Sequence, residues 1–236
     1  MKYKAIIFDL DGTIIDSNGV WDAATTIFIE QRGIGYNKQL AHDLKEQLCG
    51  LGLPECSVIL KDQFGLNESA DQIEQEMVDL AMGMMKKEVQ FIEGFSEFHQ
   101  QTIEHGLKTG IATNSNDTCL ELVTNTLKLG SFFGAHIYNL NHVGNVGKPR
   151  PDLYLHVAKQ LGVDPEECVA IEDSSHGVKA AVDAGMLCFG INTAGEEHLL
   201  QQAHVIIDKY HEIDLFRLLK KTRPGQAQKI VEQPKL

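Results

Sequence analysis

The sequence predicts an α/β fold, a Rossmann-like parallel sheet with helices on both faces, interrupted by an inserted helical cap domain. Three observations carry this. From about residue 93 onward, short apolar runs alternate with helical stripes, the pattern of a parallel sheet covered on both sides. An isolated apolar run, Ala5-Ile6-Ile7-Phe8, precedes a pair of carboxylates and reads as a strand buried on both faces. Between it and the next strand stand four successive helical stripes, where a simple crossover needs only one helix.

In chain order, Val20, Ala24, Ile27 and Phe28 form the first stripe, stopped by Gly33. Asn37 is placed to cap a second helix carrying Leu40, Leu44 and Leu48, which ends at Gly50. Pro54 suits the first turn of a third, with Val58, Ile59 and Phe64 expected inward. The fourth carries Ile73, Met77, Leu80, Ala81 and Met84, its methionines read as core filler. A helix with Phe95, Phe98 and Ile103 inward leads to a strand ending Gly110-Ile111-Ala112-Thr113. The helix of Leu120, Val123 and Leu127 and a short strand near Ala135–Tyr138 follow. The loop Asn141–Lys148 runs into Lys148-Pro149-Arg150-Pro151, whose prolines exclude helix. A helix then runs from Asp152 through Leu161, before the strand Cys168-Val169-Ala170-Ile171. After a small-residue helix stopped by Gly185 come strands near Leu187–Ile191 and Val205–Ile207, then a helix near Asp214–Lys221. The expected division is an α/β core of residues 1–16 and 93–222, a helical cap of 17–92, and a C-terminal tail of 223–236.

The net charge of −12 over 236 residues disfavours nucleic acid and anionic membrane surfaces as partners. An anionic substrate therefore needs a local positive group. Cys49, Cys56, Cys119, Cys168 and Cys188 are odd in number and lack Cys-x-x-Cys spacing, which fits reduced thiols better than a disulfide framework. No n-region precedes the first strand and no apolar run approaches the ~18 residues of a membrane span, so a cytoplasmic protein is expected. The sequence is silent on oligomeric state, and a monomer is compatible with it.

Ligands of open α/β sheets bind outside the carboxyl ends of the strands. Three of those ends are polar: Asp9, Thr113 and Asp173. Asp9 and Asp11 are two apart on extended chain and so can face one cavity. At ~4 Å they repel by about 4 kcal/mol at an effective dielectric of 20, which calls for a cation or a retained proton. Mg²⁺ suits such a carboxylate pair together with phosphate oxygens, and an aspartate can itself serve as nucleophile. Thr113 and Asn114, near a helix start, suit phosphate oxygens, and Lys148 supplies the missing positive charge. Asp173 joins Asp9 and a carbonyl near Asp11 as metal donors, with Glu172 acting directly or through water.

Asp9-Leu10-Asp11-Gly12-Thr13, Thr113-Asn114-Ser115, Gly147-Lys148-Pro149-Arg150-Pro151-Asp152 and Ile171-Glu172-Asp173-Ser174-Ser175-His176-Gly177-Val178 resemble the four ordered motifs of the haloacid dehalogenase superfamily. The helical insert resembles the cap of its β-phosphoglucomutase-like and phosphoglycolate-phosphatase-like branch. The resemblance implies that Asp9 attacks phosphorus and that Asp11 protonates the leaving oxygen, then takes a proton from water. It implies that Thr113, Asn114 and Lys148 hold the phosphoryl group, and that Asp9, Asp11 (by its carbonyl) and Asp173 bind Mg²⁺. The expected activity is hydrolysis of a small phosphorylated metabolite, a sugar phosphate, through an aspartyl-phosphate. The alternatives are a sugar phosphomutase of the β-phosphoglucomutase type and a non-enzymatic metabolite-binding protein. Such mutases carry a cap-helix histidine and a cap-loop arginine; the matching positions here are Trp21 and Leu53. Lys86 and Lys87 stand in reserve as cap cations. His176 is open between substrate contact and an exposed helix start, while Trp21 is assigned to the cap core.

Overall fold

The computed structural model describes residues 2–219, so the 223–236 tail lies outside the described residues. Strand β1 (Ala5–Phe8) is followed by four helices: α1 (Asn18–Glu30), α2 (Lys38–Leu48), α3 (Leu53–Phe64) and α4 (Ala70–Glu88). Then come α5 (Phe95–Glu104), β2 (Lys108–Ala112), α6 (Asp117–Leu127), α7 (Gly130–Phe133) and β3 (Ile137–Tyr138). A short 3₁₀ turn at Leu140–Val143 lies within the segment read as open loop, ahead of α8 (Asp152–Leu161). The rest is β4 (Cys168–Glu172), α9 (Ser175–Asp183), β5 (Leu187–Ile191), β6 (Val205–Ile207) and α10 (Leu215–Leu219).

The six strands form one parallel sheet in the order β3-β2-β1-β4-β5-β6. Strand β1 lies where the winding reverses, with Phe8 opposite Ile111 on one side and Ile171 on the other. That register brings Asp9, Thr113 and Asp173 out at one level of the carboxyl edge, the position where such sheets bind ligands. Alternation along β1 sends Ile6 and Phe8 into one core and Ala5 and Ile7 into the other. The first core continues into the helical insertion through Ala24, Phe28, Leu60 and Met77. Burying Phe8 alone contributes about 1.5–3 kcal/mol.

The chain enters and leaves the insertion side by side. Asp16 N–H donates to the Gln90 carbonyl at 2.9 Å, and Ile92 N–H to the Ile14 carbonyl at 2.9 Å. Within the insertion α1 packs on α4 and α3 on α4. Local chemistry sets its ends: the Asn37 side chain accepts from Leu40 N–H at 3.0 Å, and Ser69 with Gln72 forms a capping box on α4.

Two inward assignments are corrected. Val58 and Ile103 are each 47% exposed. On α3 the buried side chains are Cys56, Ser57 and Leu60, and on α5 they are Phe95, Phe98, His99 and Thr102. Cys56 and Leu60 are four apart and share a face, which turns Val58 to the opposite side. Thr102 takes the inward place by donating its hydroxyl to the Phe98 carbonyl at 2.8 Å, a local bond that apolar spacing does not reveal. All five cysteines are free thiols. No helix among the described residues is long and apolar enough to cross a membrane.

Candidate active site

Asp9 leaves β1 with its N–H donating to the Ile171 carbonyl at 3.0 Å, which fixes the nucleophile candidate against β4. Its Oδ1 lies 2.5 Å from Lys148 Nζ, and the same ammonium lies 2.5 Å from Glu172 Oε1. Lys148 is only 2% exposed. Its backbone is clasped by Asn114, whose Oδ1 accepts Lys148 N–H at 3.1 Å while Nδ2 donates to the Gly50 carbonyl at 3.0 Å. The Asn114 side chain is thus engaged with backbone on both its oxygen and its nitrogen. Beside it, Thr113 is buried and accepts from Ser115 N–H at 3.0 Å, leaving its own hydroxyl proton to donate.

Glu172 is completely buried and held from three directions: besides Lys148, Tyr154 Oη donates to Oε1 at 2.7 Å and Ser174 Oγ to Oε2 at 3.2 Å. Asp173 accepts from Asn18 Nδ2 at 3.3 Å and Thr13 Oγ1 at 3.5 Å. Asp11 accepts from Ser17 Oγ at 2.7 Å and Trp21 Nε1 at 3.2 Å on one oxygen, and from Ser115 Oγ on the other.

The charge balance is uneven. Oxygens of Asp9, Glu172 and Asp173 all lie within 4.8 Å of one another, against one ammonium. Burial raises the Asp9 carboxyl well above its usual range, with Glu172 and Asp173 adding to the rise and Lys148 opposing it. Burial likewise pushes Asp173 up to about 7, reinforced by the Glu172 charge. Burial opposes the charged form of Lys148, but Asp9 and Glu172 outweigh it and raise the group above the ordinary lysine value. Three buried hard oxygen donors carrying two uncompensated charges fit a divalent cation such as Mg²⁺.

Gly12 explains how Asp173 approaches so closely. Its φ is +75°, and a Cβ there would stand 1.9 Å from Asp173 Oδ2. Gly50, at φ +78°, does the same for the insertion: a Cβ would stand 2.2 Å from Ser174 Oγ. His176 completes this docking, its Nδ1 lying 2.8 Å from the Cys49 carbonyl, so the residue ties α9 to the α2–α3 loop.

A cavity of about 150 Å³ opens above Asp9 and Asp11 and runs up into the insertion. Trp21 lines it, so its place is the cavity wall as well as the packing expected for it. Met77 does so too, despite being nearly buried as core filler. Leu53 also lines it, whereas Lys86 and Lys87 are exposed near the end of α4. The cation that does line the cavity is Lys45, which sequence reasoning missed because one lysine on an amphipathic helix reads as solvent-facing. Asn18, Ser115 and Tyr154 were missed as well. Ser115 lay within a quoted motif, but nothing in the sequence signals that Tyr154 reaches Glu172.

The sequence pattern of the haloacid dehalogenase-like hydrolases matches residues 3–185. Hexitol phosphatase B of Escherichia coli (strain K12) is 30% identical over 77% of this chain and 80% of its own. β-Phosphoglucomutase of Bacillus subtilis (strain 168) is 28% identical over 80% of this chain and 83% of its own. A crystal structure of a HAD family hydrolase from Deinococcus radiodurans R1, with bound phosphate and sodium, superposes with a TM-score of 0.70 at 27% identity, covering 92% of this chain and 95% of that one. The matched residues span the three polar strand ends and the Lys148 loop, and the chain belongs to the haloacid dehalogenase-like hydrolases.

Proposed function

We propose that the protein is a Mg²⁺-dependent phosphatase that hydrolyses a small phosphorylated metabolite through an aspartyl-phosphate on Asp9. The observation that carries this is Asp9 Oδ1 at 2.5 Å from the Lys148 ammonium, beside the buried Glu172 and Asp173 carboxylates. In this reading an Asp9 oxygen attacks phosphorus in line with the departing alcohol. Asp11 gives that oxygen its proton, then removes one from the water that attacks the aspartyl-phosphate, so inorganic phosphate leaves and Asp9 is regenerated. Lys148 offsets the repulsion between Asp9 and the incoming dianion, and the Thr113 hydroxyl donates to a phosphoryl oxygen. Asn114 serves the phosphate subsite by fixing the backbone of Lys148. Asp9, Asp173 and the Asp11 carbonyl would hold Mg²⁺, with Glu172 reached through water because its carboxylate already accepts three hydrogen bonds. When bound, the ion supplies neutralisation of the phosphoryl charge.

The competing reading is a phosphomutase. The relatives' names include both a hexitol phosphatase and a β-phosphoglucomutase, so they do not choose between the reactions. A mutase needs a second anion site in the cap, and Trp21 and Leu53 stand at the positions where that branch carries histidine and arginine. Lys45, the basic side chain on the cavity wall, lies 3.7 Å from Asp22 and 3.9 Å from Glu196, so its charge is already countered by two carboxylates. Hydrolysis is the better reading. The test is incubation with β-glucose 1-phosphate and a trace of the 1,6-bisphosphate, followed by ³¹P NMR. Free phosphate should appear without isomerisation; glucose 6-phosphate accumulating faster would make the enzyme a mutase.

A further inference from the structure

The loop after β1 carries Asp11, yet its own backbone satisfies only part of it. The N–H groups of Thr13, Ile14 and Ile15 all turn back to the Leu10 carbonyl, at 3.3, 2.8 and 3.0 Å. Gly12 N–H goes to the Ile15 carbonyl at 2.8 Å. Among the described residues no backbone N–H reaches the carbonyls of Gly12 or Thr13, although both residues are buried. A buried carbonyl without a donor is costly, so these two need partners from elsewhere in the chain.

Two side-chain hydroxyls from far along the sequence supply them. Thr193 Oγ1 donates to the Gly12 carbonyl at 2.6 Å, and Tyr210 Oη to the Thr13 carbonyl at 2.8 Å. Both hydroxyls come from anchored positions. Thr193 stands just past the carboxyl end of β5, where its N–H donates to the Ile191 carbonyl at 3.0 Å and Asn192 N–H to the Ile207 carbonyl at 2.8 Å. Tyr210 is fully buried, its ring centre 5.2 Å from that of Phe98, 5.9 Å from Phe95 and 6.5 Å from Phe8, so close packing fixes where its hydroxyl points.

The two clamped residues both touch Asp173. Gly12 lies so near its Oδ2 that a Cβ would stand 1.9 Å away, and Thr13 Oγ1 donates to its Oδ1 at 3.5 Å. Asp11 immediately precedes them. Neither Thr193 nor Tyr210 lines the cavity, and both lie beyond residue 185, where the match to the family pattern ends. Any effect they have on the site therefore passes through the loop.

We infer that Thr193 and Tyr210 are positioning residues, whose hydroxyls pin the Gly12 and Thr13 carbonyls and so hold Asp11 and Asp173 in register for metal and phosphate. This rests on the phosphatase reading and extends its site to two side chains that never meet substrate.

The test measures Mg²⁺ affinity by isothermal titration calorimetry, and kcat and KM on p-nitrophenyl phosphate, for wild type, Thr193→Val, Thr193→Ser and Tyr210→Phe. Valine keeps the branched shape without the donor, whereas serine keeps the donor without the methyl. Thr193→Val and Tyr210→Phe should each weaken Mg²⁺ binding and lower kcat by about tenfold, the scale for groups that orient metal donors, with KM nearly unchanged. Thr193→Ser should stay close to wild type on both. A role confined to packing gives the reverse order, serine worse than valine, with Mg²⁺ affinity unmoved. Thr193→Val at wild-type affinity and kcat, or serine no better than valine, would overturn the clamp on Gly12. Tyr210→Phe at wild-type values would overturn the clamp on Thr13. Either result leaves the phosphatase reading standing, because the wild type still turns over. A wild type without Mg²⁺-dependent phosphate release would sink that reading and the inference with it.

Discussion

Trp21 Nε1 donates a hydrogen bond to Asp11 Oδ1 at 3.2 Å, joining the first helix of the insertion to the carboxylate proposed as general acid and base. An indole N–H can donate but not accept, so Trp21 can orient Asp11 and cannot relay its proton. Ser17 and Ser115 hold the same carboxylate from the core side. Trp21→Phe keeps the aromatic wall and removes the donor. The loss should therefore depend on the leaving group: about tenfold in kcat for alkyl phosphates, which need protonation, and little for p-nitrophenyl phosphate, which does not. Steady-state kinetics on both substrates checks this. Equal losses on the two would show that Trp21 acts only through packing.

Gly12 and Asp173 make a second prediction. A methyl group at position 12 meets Asp173 Oδ2 at 1.9 Å on a backbone with φ +75°, so Gly12→Ala must move either the loop or the carboxylate. Both displace a proposed metal donor while leaving the sheet intact. We expect the Mg²⁺ concentration for half-maximal activity to rise by about tenfold or more, the scale set by disturbing a ligand's surroundings, with far-ultraviolet circular dichroism unchanged. An unaltered Mg²⁺ requirement would show that Asp173 is not a metal donor.

Metal removal should couple to pH. Burial raises Asp173 from 3.8 to about 7, so its neutral form is favoured in the folded protein. The stability this contributes is fully present below the unfolded value, declines as pH rises, and is gone above about 7. Metal-free protein should therefore melt lower at pH 8 than at pH 6. Mg²⁺ must displace that proton, so the gain in Tm from saturating Mg²⁺ should be larger at pH 8. Thermal melts at both pH values, with and without EDTA, measure it. A Tm gain that shrank with rising pH would contradict a metal bound by Asp173.

The strand ends were legible only together: an Asp or Thr commonly terminates a strand, but Asp9, Thr113 and Asp173 each end an apolar run, and a parallel sheet brings all three out at one edge. The parallel sheet followed from strand-helix alternation, though not its strand order, and both strand spans after α9 agree with the structure. Less legible were residues whose role depends on a distant partner. Val58 and Ile103 look apolar and inward, yet their helices turn other side chains to the core. Lys45 lines the cavity only because α2 forms part of its wall, and His176 meets the Cys49 carbonyl only because the α2–α3 loop docks there. Local periodicity carries no information about such docking.

Lys148 offers the most demanding test, because charge and shape can be separated there. The ammonium is buried, lies 2.5 Å from both Asp9 and Glu172, and sits 5.1 Å from the centre of the Tyr154 ring. Lys148→Met keeps the length and removes the charge, leaving the carboxylates without their cation; breaking a buried pair in this way costs about 3–5 kcal/mol. We expect a lower Tm, partly restored by Mg²⁺, and a fall in kcat of about a hundredfold or more, the scale of a lost electrostatic donor. Lys148→Arg keeps the charge, but a planar fork cannot present one compact point to two carboxylates in a space already filled by Tyr154. Arginine should therefore rescue the Tm better than it rescues kcat. Measured together, melting and turnover separate the two contributions. Arginine at wild-type turnover would show that any cation serves, and methionine at wild-type turnover would remove Lys148 from the catalytic site.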